Sequence, residues 1–125
     1  MVNYLAHYAP VLNRAVEICN QLIAFFKTEQ KVERDRFAQA IAETEGLRDG
    51  LLERLAAPKY LAPNAFGSSA IVRFMAFYDN HAGNDYGVSL PAEKLALRDR
   101  LLAAWIAEVV EPVVKLQNDL EAANG

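Results

Sequence analysis

Residues 4–26 read YLAHYAPVLNRAVEICNQLIAFF, and the spacing of their apolar side chains decides the fold class. Leu5, Tyr8, Leu12, Ala15, Cys19, Leu22 and Phe26 follow one another in alternating steps of three and four. That is the seam of an amphipathic helix. The positions beside the seam are apolar too: Tyr4, Val11, Ile18 and Phe25 on one side, Ala9, Val16 and Ile23 on the other. More than half of the circumference is therefore greasy, and His7, Asn13, Arg14, Glu17, Asn20, Gln21 and Lys27 share what remains. A helix this broad in its apolar face must be covered on two sides. It is either central in its own bundle or partly covered by a second chain. Pro10 lies inside the pattern, so the helix begins near it or kinks there.

Outward from that segment, the pattern breaks at Thr28-Glu29-Gln30-Lys31. Thr28 reads as the cap of a second helix with Glu29 in its first turn, where an acid suits the helix dipole. That helix is expected over about 29–57, with a core stripe of Phe37, Ala40, Ile41, Thr44, Leu47, Leu51 and Leu55. Gly46 and Gly50 interrupt it; they mark close packing with a neighbour or simple local weakness. A connector with two prolines and a glycine, Pro58 to Gly67, then forbids a regular helix. Its Tyr60, Leu61 and Phe66 are too apolar for a fully solvated loop, which predicts that it lies over the bundle.

A short third helix is expected over about 69–80, opened by Ser68 or Ser69. Periodicity alone does not separate helix from strand over 70–79. Helix is preferred because a lone strand would have no ladder partner for its backbone groups. Asn80 to Gly87 is a polar turn. The last helix is expected over about 91–122, with Leu95, Leu102, Ile106, Val109, Val113, Leu116 and Leu120 as its stripe and Leu101 and Trp105 widening it. Pro112 should bend it near Glu108, whose carbonyl loses its normal partner. The end, from Ala122, is expected to fray. The fold class is all-α: one four-helix-bundle-like domain over 1–125, three long helices and one short, the last kinked near Pro112.

Bulk properties agree with a single packed domain. The chain has 125 residues, 53% hydrophobic and 23% charged, with a net charge of −3. Long disorder is not expected, and no basic excess points to nucleic acid. One cysteine excludes an intramolecular disulfide and a Cys-rich zinc site. No apolar run approaches the length of a membrane span, and Met1 to Tyr8 lacks the features of a signal peptide. A cytoplasmic protein with neither nucleic-acid nor membrane partners is the expectation.

Chemistry-bearing motifs are sparse. There is no Gly-rich phosphate loop, no His-Glu-x-x-His and no Glu-x-x-His pair. The turn from Asp79 to Tyr86 offers oxygen ligands, but the twelfth residue from Asp79 is Leu90, which fails the EF-hand pattern. Arg73 and His81 suit phosphate binding and proton transfer, yet no basic surface accompanies them. Glu45, Asp49 and Glu53 form an acidic column on the second helix, and Glu108 and Glu111 a pair on the last. If those faces met, they could hold Mg²⁺ as in all-helical pyrophosphatases; a solvated face with Arg48 and Arg54 as neutralising partners is the plainer reading. Phe66, Phe74, Tyr78 and Trp105 could line an apolar pocket reached past polar groups such as His81, or could be ordinary core. Cys19 lies on the first seam, where a buried thiol is inert.

The function expected from these residues is a small helical binding or interaction protein, a homodimer through part of the first helix or a partner of another protein, with no cofactor. The alternatives are a binder of a small apolar ligand, or minor enzyme, with its pocket under the segment 58–67, and a Mg²⁺-dependent hydrolase built on the five carboxylates.

Overall fold

A computed structural model of the chain describes residues 4–30, 34–56 and 90–124. Every regular element among them is helical: α1 (Tyr4–Glu29), α2 (Arg34–Ala56), α3 (Ala92–Trp105) and α4 (Glu111–Asn124), with a π-helical turn, Ile106–Val110, joining the last two. The expected connector over 58–67, the third helix over 69–80 and the turn that follows lie outside the described residues.

The seam of α1 is buried as its spacing requires. Tyr8, Leu12, Ala15, Cys19, Leu22 and Phe26 are sealed, and so are Ile18, Phe25 and Ile23 beside them. Both flanks are covered because α1 packs against α2 and also against α3, the π turn and α4. Of the two arrangements open to so broad an apolar face, the described elements adopt the central one. Pro10 sits within α1 on its exposed surface, and the helix runs through it from Tyr4.

The second helix does not begin at Thr28. The Thr28 hydroxyl donates to the Ala24 carbonyl at 2.9 Å, one turn back, so it serves α1 instead of capping a new helix. The Gln30 N–H continues the same ladder to the Phe26 carbonyl at 2.8 Å. α2 then buries Phe37, Ala40, Ile41, Thr44 and Leu51 against α1, with Leu47 and Leu55 packed at the margin. Phe26 meets Phe37 across this interface, ring centroids 6.0 Å apart. Gly46 marks no close approach: a Cβ there would meet nothing within 4 Å.

Leu90 is buried just ahead of α3, and Pro91 occupies the N-cap with extended backbone. Glu93 in the first turn suits the helix dipole. The departure from α geometry comes where Pro112 demands it. Proline lacks an N–H, and its ring crowds the carbonyl four residues back, that of Glu108. The chain widens by one residue instead of breaking, and the Glu111 N–H bonds the Ile106 carbonyl. The extra residue advances the apolar stripe, so Val109 and Val110 are both buried. α4 runs on to Asn124, past the expected fraying point at Ala122. No described helix is long and apolar enough to cross a membrane.

Candidate functional site

Between the C-terminal turns of α1 and the first turns of α3 lies an open cleft of about 460 Å³. Gln21, Ala24, Phe25, Thr28 and Glu29 form one wall, at the spacing that puts them on one face of α1. Lys94, Leu97 and Leu101 form the other, three and four residues apart on α3. Ala24, Phe25, Leu97 and Leu101 make the lining largely apolar. Leu97 is 38% exposed and is one of the residues that line this cleft.

One ion pair crosses between the walls. The Lys94 Nζ donates to Glu29 Oε1 at 2.6 Å. The two partners differ in exposure: the Glu29 side chain is 5% exposed and that of Lys94 is 43% exposed. A buried carboxylate needs a cation or several hydrogen bonds to offset its lost hydration. Lys94 supplies that, and the bond is of the short, charge-assisted kind. The pair links α1 and α3 at this end and leaves the lysine partly in solvent.

None of the described residues singled out in the sequence as site candidates lines this cleft. Trp105 is fully buried in the core and does not line the cleft. Phe66, Phe74, Tyr78 and His81 lie outside the described residues, as does Arg73. The five carboxylates do not converge: no group of three or more His, Cys, Asp or Glu able to hold a metal occurs among the described residues. Arg48 approaches Glu45 at 4.0 Å and Asp49 at 3.2 Å, and it also reaches Asn20 on α1 at 3.3 Å. Glu53 is exposed on α2, and Glu111 is exposed at the start of α4. Glu108 is held by Arg14 of α1 through both carboxylate oxygens, at 3.1 and 3.0 Å. Those hydrogen bonds and the guanidinium charge hold the Glu108 carboxyl below the usual glutamate range. The acidic column is thus threaded with arginine, as charged helix faces usually are.

Cys19 is fully buried, and burial pushes its thiol up to about 12, with Arg48 opposing the shift only in part. A thiol so held is not a nucleophile near neutral pH. Arg98 was not read as a core residue, yet it is buried on the α3 stripe between Leu95 and Leu101, with its guanidinium on Asp99 at 3.1 Å. The cleft is not evident from the spacing within any one helix. The signal for it is the flank Lys94, Leu97 and Leu101, which sits beside the main α3 stripe and continues its apolar character. Compared with family models, curated proteins and solved structures, the chain matches none.

Proposed function

We propose that this chain is a small helical binding protein, on a four-helix-bundle-like plan, that takes a small apolar-bodied molecule in the cleft between α1 and α3. The observation that carries this reading is the cleft itself. Its volume of about 460 Å³ falls within the range of small-molecule pockets, roughly 300–1,000 Å³. Its walls are apolar, with a few polar groups at Gln21, Thr28, Glu29 and Lys94, the usual composition of such sites. The titratable groups among the described lining residues, Glu29 and Lys94, are paired with each other, and this supports binding over catalysis. The single cysteine supports keeping the chain in a reducing compartment such as the cytoplasm.

A homodimer through α1 has less support than the cleft. Its motive was surplus apolar surface on α1, and that surface is covered by α2 on one side and by α3 and α4 on the other. The hydrolase reading has less support as well, since the carboxylates it calls on form no group of three or more among the described residues.

Binding of a neutral apolar dye such as Nile red tests the proposal. The expected result is saturable fluorescence enhancement with one site per chain, weakened at least about ten-fold by Leu97→Glu, since burying that charge against a bound apolar body is unfavourable. Leu97 is half in solvent, so the variant should keep the helical circular-dichroism signal of the parent. An absence of saturation, or equal binding by the variant, would overturn the proposal.

A further inference from the structure

Resting on the reading of the α1–α3 cleft as a binding site, we infer that its ligand is a small amphiphile with a carboxylate head, and that Lys94 receives that head.

The inference follows from the unequal burial of the ion pair at the cleft. Glu29 and Lys94 are the charged residues lining it; the others are apolar or neutral. The Glu29 side chain is 5% exposed and the Lys94 ammonium already occupies one of its oxygens at 2.6 Å. A cationic head would have to displace Lys94 to reach a carboxylate that solvent hardly touches. Lys94 presents the opposite situation. Its side chain is 43% exposed, and an ammonium has three donors, of which Glu29 takes one. An incoming carboxylate meets a cation with donors to spare, and no displacement is needed.

Glu29 is a positioning residue in this scheme. Its negative charge weakens the pull of Lys94 on a second anion, but it also holds the ammonium in one place at the cleft wall. A lysine fixed in that way loses less rotamer freedom on binding than one that is free in solvent. The apolar body of the ligand then lies along Phe25, Leu97 and Leu101, where its burial supplies most of the affinity. The head group selects among ligands with the same body. An aliphatic monocarboxylate of medium length has this division of chemistry.

Three probes with one tail separate the possibilities: octanoate, 1-octanol and octylamine, each titrated into the full chain at pH 7.5 by displacement of Nile red. Octanoate should bind about ten-fold or more tightly than 1-octanol, and octylamine more weakly than either. Lys94→Met should remove the preference of octanoate over 1-octanol while 1-octanol still binds, and Lys94→Arg should restore much of it. If Lys94→Met does not fold, the ranking of the three probes on the parent chain decides alone. Equal binding of octanoate and 1-octanol, or tighter binding of octylamine, would overturn the carboxylate assignment and leave the cleft as a binding site. Failure of all three to displace the dye would instead count against the cleft reading itself.

Discussion

α1 has two neighbours that treat it differently, and its adjacent residues Phe25 and Phe26 show how. Phe26 points into the α2 side, is fully buried, and meets Phe37 at 6.0 Å between ring centroids. Phe25 meets Phe26 edge-on at 5.5 Å, but its other surface forms the wall of the α1–α3 cleft. On the α2 side Phe26 packs among buried side chains of a matching stripe, Phe37, Ala40 and Ile41. On the α3 side the two helices are joined by an ion pair and leave room between them. One helix with one kind of residue thus yields a sealed interface and an open one, and what differs is the partner's pattern. α2 offers Phe37, Ala40, Ile41 and Thr44, large and small in turn. α3 offers Lys94, whose side chain is 43% exposed, and Leu97, which is 38% exposed.

The contrast sets an order of expected effects. Phe26→Ala removes a ring that is packed on all sides and should cost about 3–5 kcal/mol, the range for core phenylalanines. Phe25→Ala should cost less by about 1 kcal/mol or more, because fewer protein atoms surround its ring. Urea denaturation of the two variants measures the difference directly, and equal losses would mean that the cleft is not the less packed side. Leu102→Ala, on the core stripe of α3 and fully buried, should cost about 2–5 kcal/mol. A loss below about 1 kcal/mol would put the register of α3 in error.

On α2, Gly46→Ala is expected to stabilise by about 0.5–1 kcal/mol. The position is helical, and an added methyl would meet nothing within 4 Å. A raised midpoint in the same urea series checks it; a lowered one would show that a neighbour does approach.

The smallest effect belongs to the exposed pair that ties α1 to the π turn. The Glu108 carboxyl is held below its ordinary range in the folded chain, by its hydrogen bonds to Arg14 first and by the guanidinium charge in addition. A depressed carboxyl contributes stability above its unfolded value, about 4.3, and that contribution is lost as pH falls through the lower folded value. The parent should therefore lose stability somewhat more steeply than Glu108→Gln below about pH 4.5. Both groups are well exposed, so the difference will be slight and should shrink in high salt. Identical acid profiles for the two proteins would show that the pair contributes nothing in solution.

Much of this architecture is legible in the residue pattern. The alternating three-and-four spacing from Leu5 to Phe26 reports a broad apolar face that must be covered, but it does not say whether the same chain or a second one covers it. Pro112 announces a disturbance at Glu108, because a missing donor and a crowded carbonyl act locally. The form it takes, a π turn, depends on whether widening the helix keeps Val109, Val110 and Val113 in the core, which is a tertiary matter. Thr28 misleads for a related reason. A threonine hydroxyl bonds a backbone N–H ahead of it or a carbonyl behind it, and the sequence around Thr28 does not say which. The cleft lies further from reach. It depends on how Lys94 and Leu97 stand against Phe25 and Glu29, 65 to 72 residues away in the chain, and the flank on α3 does not say what faces it.

Amide chemical shifts of the ¹⁵N-labelled full chain, followed during titration with octanoate, would test the cleft most directly. The expected result is a saturable set of changes centred on Ala24, Phe25, Thr28, Lys94, Leu97 and Leu101, with Phe37, Ala40 and Leu51 of α2 unmoved. Changes that fail to saturate, or that centre on α2, would contradict a binding site between α1 and α3.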